Sequence, residues 1–512
     1  MQESDLVTKF LHLAGASKPS KTALGGELIS SFDKLTRASE STLQSMYWPK
    51  KDGDLERVFD ERSIKKVFGA IAQIQFSMGE SGLPRAELLR AYTLNRIQIE
   101  QLSDFFSCFL DVSIASALAE HVGKYDVLYR TSANDLTTLF MDKRVPETAI
   151  EAIIQTIDQA RLTRQTHEEF RIELMRFANR TTLATLALRV TYTAQGIVSS
   201  SAFSSMVCVQ LQRELARAFA RSDSINTSLL QATKEVFGTN VATDPRAPAV
   251  YRRVAILLSD QLSRYNQQAL LAIWKAVDKV LFEKIPKFTT EAIKTVNPFL
   301  IRPLFLSFPS VQTFAIAAKL SSSLETMWGT LLEHLFVASS RGARRVGDGG
   351  VDVVVERRAF DIKSGPAVMN NDQVNVMVMK ARRIADGEVP TLDSFQVALA
   401  YGRTKQIFST MSGHISNKSI LPARDAWHEI TGDWLAPEKA YALCGLVADT
   451  IGVDGIIEAA TEGGSASTST HLQDESAFEQ LFADAIDAVP HGVTEDEELR
   501  MLRALRENSA QV

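Results

Sequence analysis

The sequence has few cysteines and no uninterrupted apolar run long enough to cross a membrane. Its three cysteines, Cys108, Cys208 and Cys444, form no CxxC pair and have no histidine nearby, which argues against a disulfide framework and against a zinc site. The most apolar segment, 296–320, is broken by prolines, arginine and lysine, so we interpret it as buried core. The N-terminal residues show no basic stretch followed by an apolar run. We therefore expect a soluble cytoplasmic protein without a secretory leader.

Several catalytic signatures are also missing. No GxxxxGK[ST] phosphate loop occurs, so we predict no ATP hydrolysis. No GxSxG nucleophile elbow occurs, and none of the eight histidines forms a metal-binding pair. The sequence thus lacks the patterns typical of P-loop NTPases, serine hydrolases and histidine-ligated zinc enzymes.

The formal net charge of −5 is distributed unevenly along the chain. Ten acidic and only three basic residues follow Ser465, which leaves residues 1–465 close to neutral. A nearly neutral body can still bind DNA through a local basic surface, because attraction to phosphates depends on the local field more than on total charge. The composition therefore permits nucleic-acid binding without indicating it.

The spacing of apolar residues divides the chain into four regions. Residues 1–60 are less regular, with loops predicted at SKPSKTALGG and WPKKDGD. Residues 61–320 place apolar residues three and four positions apart, which predicts a large all-α region. Residues 321–461 predict an α/β/α core around a mixed sheet, and 462–512 an acidic, partly disordered tail. The predicted fold class is α+β.

One predicted hairpin, GDGGVDVVVERRAFDIKSG at 347–365, carries residues suited to catalysis. Side chains alternate along a strand, so Asp361 and Lys363 point to the same face, and Asp352 can lie alongside Asp361 from the neighbouring strand. Two converging carboxylates suit Mg²⁺ or Mn²⁺. A lysine beside them can position a water or stabilise charge that develops on a phosphate. Asp348, in the glycine-rich turn, is an alternative to Asp352.

This hairpin resembles the core of PD-(D/E)xK nucleases, in which an acid opens a hairpin and an acid-x-Lys triplet lies on its second strand. Asp352 matches the first acid and Asp361-Ile362-Lys363 the triplet, although Val351 stands at the family's usual proline. The segments SGPAVMNNDQV and AWHEITGDW are similar to segments of type II restriction endonucleases. The resemblance covers about residues 325–440.

The resemblance implies a site-specific endonuclease that hydrolyses double-stranded DNA with Mg²⁺, or with Mn²⁺ in its place. It implies that Asp352 and Asp361 hold the metal and that Lys363 positions the water or stabilises charge. Glu333 on the preceding helix is the candidate assisting acid, with Glu325 as the substitute. A homodimer and a cognate DNA methyltransferase are the implied partners. Residues 61–320 would then recognise DNA or form the dimer interface.

Basic residues flank the hairpin and are candidates for contacts with phosphates. The predicted DNA-binding residues are Arg344, Arg345, Arg357, Arg358 and Gln373, and Lys380, Arg382 and Arg383 belong to the same basic cluster. Two alternative functions remain open at this point. One is a repair or defence nuclease that reads DNA structure or modification, and the other is a non-catalytic DNA-binding protein on a degenerate nuclease fold.

Overall fold

The fold is that of a computed structural model. It describes residues 2–16, 19–49, 55–78, 81–164, 166–194, 203–222, 224–258, 267–279, 329–340, 342–346, 351–365, 371–389, 391–402 and 419–451. These residues form two compact units. We call the unit that contains 2–98 and 340–437 the sheet unit, and the unit that contains 99–339 and 438–451 the helical unit.

The elements follow one another from a helical N-terminal half to an α/β C-terminal part. In chain order they are α1 Glu3–Leu13, α2 Pro19–Leu28, α3 Phe32–Arg37, α4 Glu40–Gln44, β1 Tyr47–Pro49, β2 Leu55–Arg57, α5 Glu61–Met78, α6 Arg85–Ser107, α7 Val112–Val122, α8 Tyr125–Arg130, α9 Ala133–Asp142, α10 Glu147–Thr163, α11 His167–Ala194, α12 Ser205–Arg221, α13 Ile225–Phe237, α14 Thr239–Ala242, α15 Ala247–Leu257, α16 Gln267–Lys279 and α17 at 329–339. The C-terminal part continues with β3 Ala343–Arg345, β4 Val353–Val355, β5 Arg358–Lys363, α18 Asn371–Ala385, β6 Ser394–Leu399, β7 Ile420–Leu421, α19 Ala423–Thr431 and α20 Ala436–Ile451.

The central sheet of the sheet unit is mixed. Its five strands lie in the order β3-β4-β5-β6-β7; the first three are antiparallel, and β5, β6 and β7 are parallel. All three valines of β4 are buried, as expected for a strand that is covered on both faces. The α+β class with a mixed C-terminal sheet, predicted from the sequence, is confirmed.

The two faces of β5 are covered by different helices. Ala359, Asp361 and Lys363 share one face, because side chains alternate along a strand. Ala359 belongs to one apolar cluster with buried residues of α18, so this face lies towards α18. On the opposite face, Arg358 forms an ion pair with Glu429 of α19. The acidic and basic residues of the acid-x-Lys triplet therefore lie on the α18 side of the sheet.

The first sixty residues differ from the sequence-based expectation. Their described part contains α1 to α4, and apolar residues of α1 to α5 share one core with the sheet, so residues on both sides of position 60 belong to the sheet unit. The prediction of a loop at SKPSKTALGG is wrong, because α2 begins at Pro19. Proline is tolerated at the first position of a helix, where the backbone amide has no hydrogen-bond partner within the helix. The two glycines of α2 allow close packing: a Cβ at Gly26 would lie 1.7 Å from Thr8 Oγ1 and 2.9 Å from the carbonyl oxygen of Ser4 on α1.

An ionic network ties the N-terminal helices to the edge of the sheet. Arg344 of β3 forms ion pairs with Asp5 of α1, at 3.2 Å, and with Glu27 of α2. The Glu27 side chain is only 8% exposed. Its burial raises the pKa of that carboxyl to about 7, against the opposing effect of the Arg344 charge, and the Asp5 charge adds to the rise. The ionised form of Glu27 is therefore less favourable, relative to the protonated form, in the folded state than in the unfolded chain.

This raised pKa predicts a pH-dependent stability. The folded state binds a proton at Glu27 more tightly than the unfolded chain does, so the contribution is complete below about pH 4.5 and is lost as pH rises through about 7. We expect a slope approaching about 1.4 kcal/mol per pH unit between these limits. Urea unfolding at several pH values should show this slope, and Glu27→Gln should remove it. The same substitution at Glu87, on the exposed surface, should leave the slope intact.

The helical unit consists of packed helices around an aromatic core. Phe105, Phe109 and Phe177 lie in contact, with the rings of Phe109 and Phe177 stacked at 5.9 Å between centroids. Within the predicted all-α region, α6 and α7 are separated by residues 108–111. Residues 280–328, which include the predicted buried segment 296–320, lie outside the described residues. Among the described helices, none has the length and apolar content needed to span a membrane.

Candidate active site

The β4–β5 hairpin places Asp352 at its open end. The hairpin closes through Glu356 and Arg357, and Glu356 takes a positive φ of 55° there. At the other end, Asp352 lies one residue before β4, and its amide donates to the carbonyl of Phe360 at 3.1 Å. Its carboxylate oxygen Oδ2 accepts the amide hydrogen of Ile362 at 2.8 Å. The Asp352 side chain is thereby fixed against the middle residue of the acid-x-Lys triplet.

Lys363 lies next to this carboxylate. Its Nζ is 3.9 Å from Asp352 Oδ2 and donates to the carbonyl oxygen of Ile362 at 3.2 Å. The Lys363 side chain is 23% exposed and that of Asp352 14% exposed, so both remain reachable from solvent. The structure therefore brings together the first acid and the lysine that the sequence singles out.

Asp361 is more deeply buried than its two neighbours in the site. Its side chain is 3% exposed, and Oδ2 accepts a hydrogen bond at 2.9 Å from Nζ of Lys380 on α18, which is itself 4% exposed. The second oxygen, Oδ1, is buried and has no hydrogen-bond partner. An unpaired carboxylate oxygen in a dry environment is unfavourable unless a ligand or a cation satisfies it.

This donor set fits a hard divalent cation. Mg²⁺ binds through one or two carboxylates and keeps several waters, so it needs no cage of many protein ligands. Within the described residues, no group of three or more His, Cys, Asp or Glu side chains is placed to hold a metal. Asp361 Oδ1 is the atom that meets the requirement for an unused oxygen ligand. Asp352, at the open end of the same hairpin, is the candidate for the second carboxylate.

Of the two proposed assisting acids, the structure describes one. Glu333 is half-buried on α17, which belongs to the helical unit. Its alternative, Glu325, lies outside the described residues, as does Asp348, the alternative first acid. The role of Glu333 stays a prediction.

The five predicted DNA-binding residues occupy different environments. Arg344 is engaged by Asp5, Glu27 and Ser4, which makes it part of the N-terminal ionic network. Arg345 is exposed on β3 and pairs in register with Val353, next to Asp352. Gln373 is exposed in the first turn of α18, which follows β5 after a short connection. Arg345 and Gln373 thus lie towards the open end of the hairpin.

Arg357 and Arg358 lie at the other end of the hairpin, about 20 Å and about 16 Å from Lys363 along the chain. Arg357 forms two hydrogen bonds to the carboxylate of Asp393, at 2.6 and 2.7 Å, and these bonds lower the pKa of Asp393. Arg358 points to the α19 face, away from Asp361. These two arginines are therefore distant from the triplet in space, although they are close to it in sequence, and their contact with DNA stays a prediction.

Lys380 is a site residue whose role the sequence reasoning missed. It was grouped with the surface basic cluster, but the structure buries it against Asp361. A signal was available: the apolar face of α18 contains Val374, Met377 and Ile384, and Lys380 lies three residues after Met377 and four before Ile384. A lysine at a core position of an amphipathic helix requires a buried anion as its partner.

Comparison with known protein families finds a match that includes the residues of this site. Residues 276–433 match the family model of type II restriction endonuclease EcoO109I. The match includes the hairpin, α18 and α19, together with Glu333, and it ends at Asp433. No curated protein and no solved structure matches the chain. The match confirms, over residues 276–433, the resemblance inferred from the hairpin residues, and it is consistent with a restriction-endonuclease-like nuclease.

Proposed function

We propose that this protein is a Mg²⁺-dependent type II restriction endonuclease that hydrolyses double-stranded DNA at a specific sequence. The observation that carries the proposal is the approach of Lys363 Nζ to within 3.9 Å of the Asp352 carboxylate, on the face of β5 that also bears Asp361. Restriction endonucleases generally use divalent metals, and Mn²⁺ is the expected substitute for Mg²⁺.

Each residue of the site has a distinct role in this proposal. Asp361, through Oδ1, and Asp352 would hold the divalent ion, which when bound polarises the scissile phosphate and lowers the pKa of a water ligand. Lys363 holds the attacking water beside the Asp352 carboxylate and stabilises the negative charge that develops on the phosphate. Glu333 is retained as an assisting acid on the basis of its position in the sequence.

The substrate and the partners follow from the same chemistry. Arg345 and Gln373, exposed near the open end of the hairpin, are the proposed DNA contacts. A chain with one such site cuts both strands most simply as a two-fold symmetric dimer, so we propose a homodimer. A site-specific nuclease in the cytoplasm also requires protection of the host DNA, and a cognate methyltransferase would supply it.

A cleavage assay tests this function. The purified full-length protein is incubated with unmethylated plasmid and phage DNA in Mg²⁺, in Mn²⁺ and in EDTA, and the fragment ends are sequenced. Discrete fragments with a common end sequence, formed only with the metal, are the expected result. Cleavage of methylated or branched DNA alone would favour the repair or defence nuclease instead. Binding without cleavage under every metal condition would favour the non-catalytic DNA-binding protein.

A further inference from the structure

The ion pair between Asp361 and Lys380 is the most deeply buried charge pair close to the hairpin. Both side chains are less than 5% exposed, and the bond between Nζ and Oδ2 is short, at 2.9 Å. Lys380 reaches Asp361 from the apolar face of α18, where Val374 and Met377 are almost fully buried. The two charges therefore meet inside the layer between helix and sheet.

A pair of this kind is not explained by stability alone. Removing two charges from water costs several kcal/mol each, and apolar residues of similar volume often stabilise a core as well or better. The bond also satisfies only half of the carboxylate, since Oδ1 remains buried without a hydrogen bond. If stability of the core were the only requirement, apolar residues would be favoured at positions 361 and 380.

We propose that Lys380 is the internal counter-ion of the candidate metal site. It neutralises Asp361 while no metal is bound and fixes Oδ2, so that Oδ1 is the oxygen left for a divalent cation. Lys380 is thus a positioning residue that acts through Asp361. The inference rests on the proposed function only in taking Asp361 as a metal ligand.

Two consequences follow from this arrangement. The protein can fold without metal, because the buried carboxylate already has a cationic partner. A divalent ion that binds at Oδ1 meets the positive charge of Lys380 nearby, so metal binding is weaker than two carboxylates alone would give. Loss of the lysine should therefore make folding dependent on metal and should tighten metal binding.

The test uses Lys380→Met in the full-length protein, since methionine preserves length and apolar volume. Without metal, in EDTA, the Tm of the variant should fall by roughly 5–15 °C, because a buried carboxylate loses its partner. Added Mn²⁺ should restore most of this loss, by linkage between binding and folding. Titration calorimetry with Mn²⁺ alone should give a Kd about tenfold lower than that of the unmodified protein.

Three further variants serve as controls. The double variant Asp361→Asn/Lys380→Met removes both charges, so its Tm in EDTA should be near that of the unmodified protein and should not respond to Mn²⁺. Lys380→Arg keeps the charge and should behave in EDTA much like the unmodified protein. Lys65→Met, at an exposed position of α5, should change neither the Tm nor the Kd.

The proposal is overturned if Lys380→Met keeps the Tm and the Mn²⁺ affinity of the unmodified protein. It is also overturned if this variant stays unfolded in Mn²⁺ while the double variant folds, since metal would then be unable to replace the lysine.

None of these measurements contains DNA, so failure of this inference can be distinguished from failure of the proposed function. A protein that cuts no DNA but gains metal-dependent stability in Lys380→Met would disprove only the proposed function. Metal-dependent cleavage without that gain would disprove only this inference.

Discussion

Replacing Lys363 by alanine should lower the rate of DNA cleavage by about 10²–10³-fold and leave DNA binding nearly unchanged. The ε-ammonium lies 3.9 Å from the Asp352 carboxylate, where it can hold a water and stabilise charge that exists only during the reaction. Removal of one such preorganised group typically costs about 10²–10³-fold in rate. The cleavage rate is measured on plasmid DNA in Mg²⁺ under single-turnover conditions, and the affinity is measured in Ca²⁺ by mobility shift.

A lysine outside the hairpin provides the matched control. Lys65 is exposed on α5, and Lys65→Ala should cut DNA at the rate of the unmodified protein. The assignment of Lys363 fails if Lys363→Ala and Lys65→Ala cleave equally fast. A parallel loss of binding and cleavage in Lys363→Ala would instead show that this lysine only contacts the DNA backbone.

The second large effect concerns the packing of the N-terminal helices. Gly26→Ala should lower the free energy of unfolding by about 2–3 kcal/mol, because overpacking a close contact forces a shift of backbone or side chains. The added Cβ would lie 1.7 Å from Thr8 Oγ1, and also 2.9 Å from a backbone oxygen, which cannot rotate away. Urea unfolding measures the change, and hydrogen exchange of α1 and α2 amides locates it.

A second helical glycine makes the opposite prediction for the same substitution. Gly69 is exposed on α5, and a Cβ there would meet no atom within 4 Å. Gly69→Ala should raise the free energy of unfolding by about 0.5–1 kcal/mol, because alanine restricts the unfolded chain and favours a helix. If both substitutions stabilise the protein, α1 and α2 do not pack as closely as described.

Local patterns in the sequence were sufficient for the hairpin and for most helices. The alternation in VDVVVERRAFDIK predicts two strands with Asp361 and Lys363 on one face, and a turn of minimal length fixes which residues pair. The three- and four-residue spacing of apolar residues likewise predicts the helical region in which α5, α10 and α11 lie. These features depend on residues that are close together in the sequence, so each segment predicts its own structure.

Features that depend on distant segments were missed. The segment SKPSKTALGG, predicted as a loop, is part of a helix whose glycines pack closely against α1. A local sequence pattern shows only that glycine disfavours a helix, and it does not show this contact. The ion pairs of Arg344, which is predicted to contact DNA, are with Asp5 and Glu27, more than 300 residues away along the chain. In both cases the residues that make the contact lie in another segment of the chain, so the local sequence does not reveal them.

The sequence by itself determined the acid-x-Lys triplet on one face of its strand and the mixed sheet that carries it, and the carboxylates of the hairpin predict a hard divalent ion. Residue type and the two-residue period of a strand are enough for these conclusions. Only the tertiary structure decided that the N-terminal helices complete the core of the sheet unit and that Lys380 neutralises Asp361. Burial and ion pairing are properties of segments brought together by folding, and for these contacts no local periodicity identifies the partner.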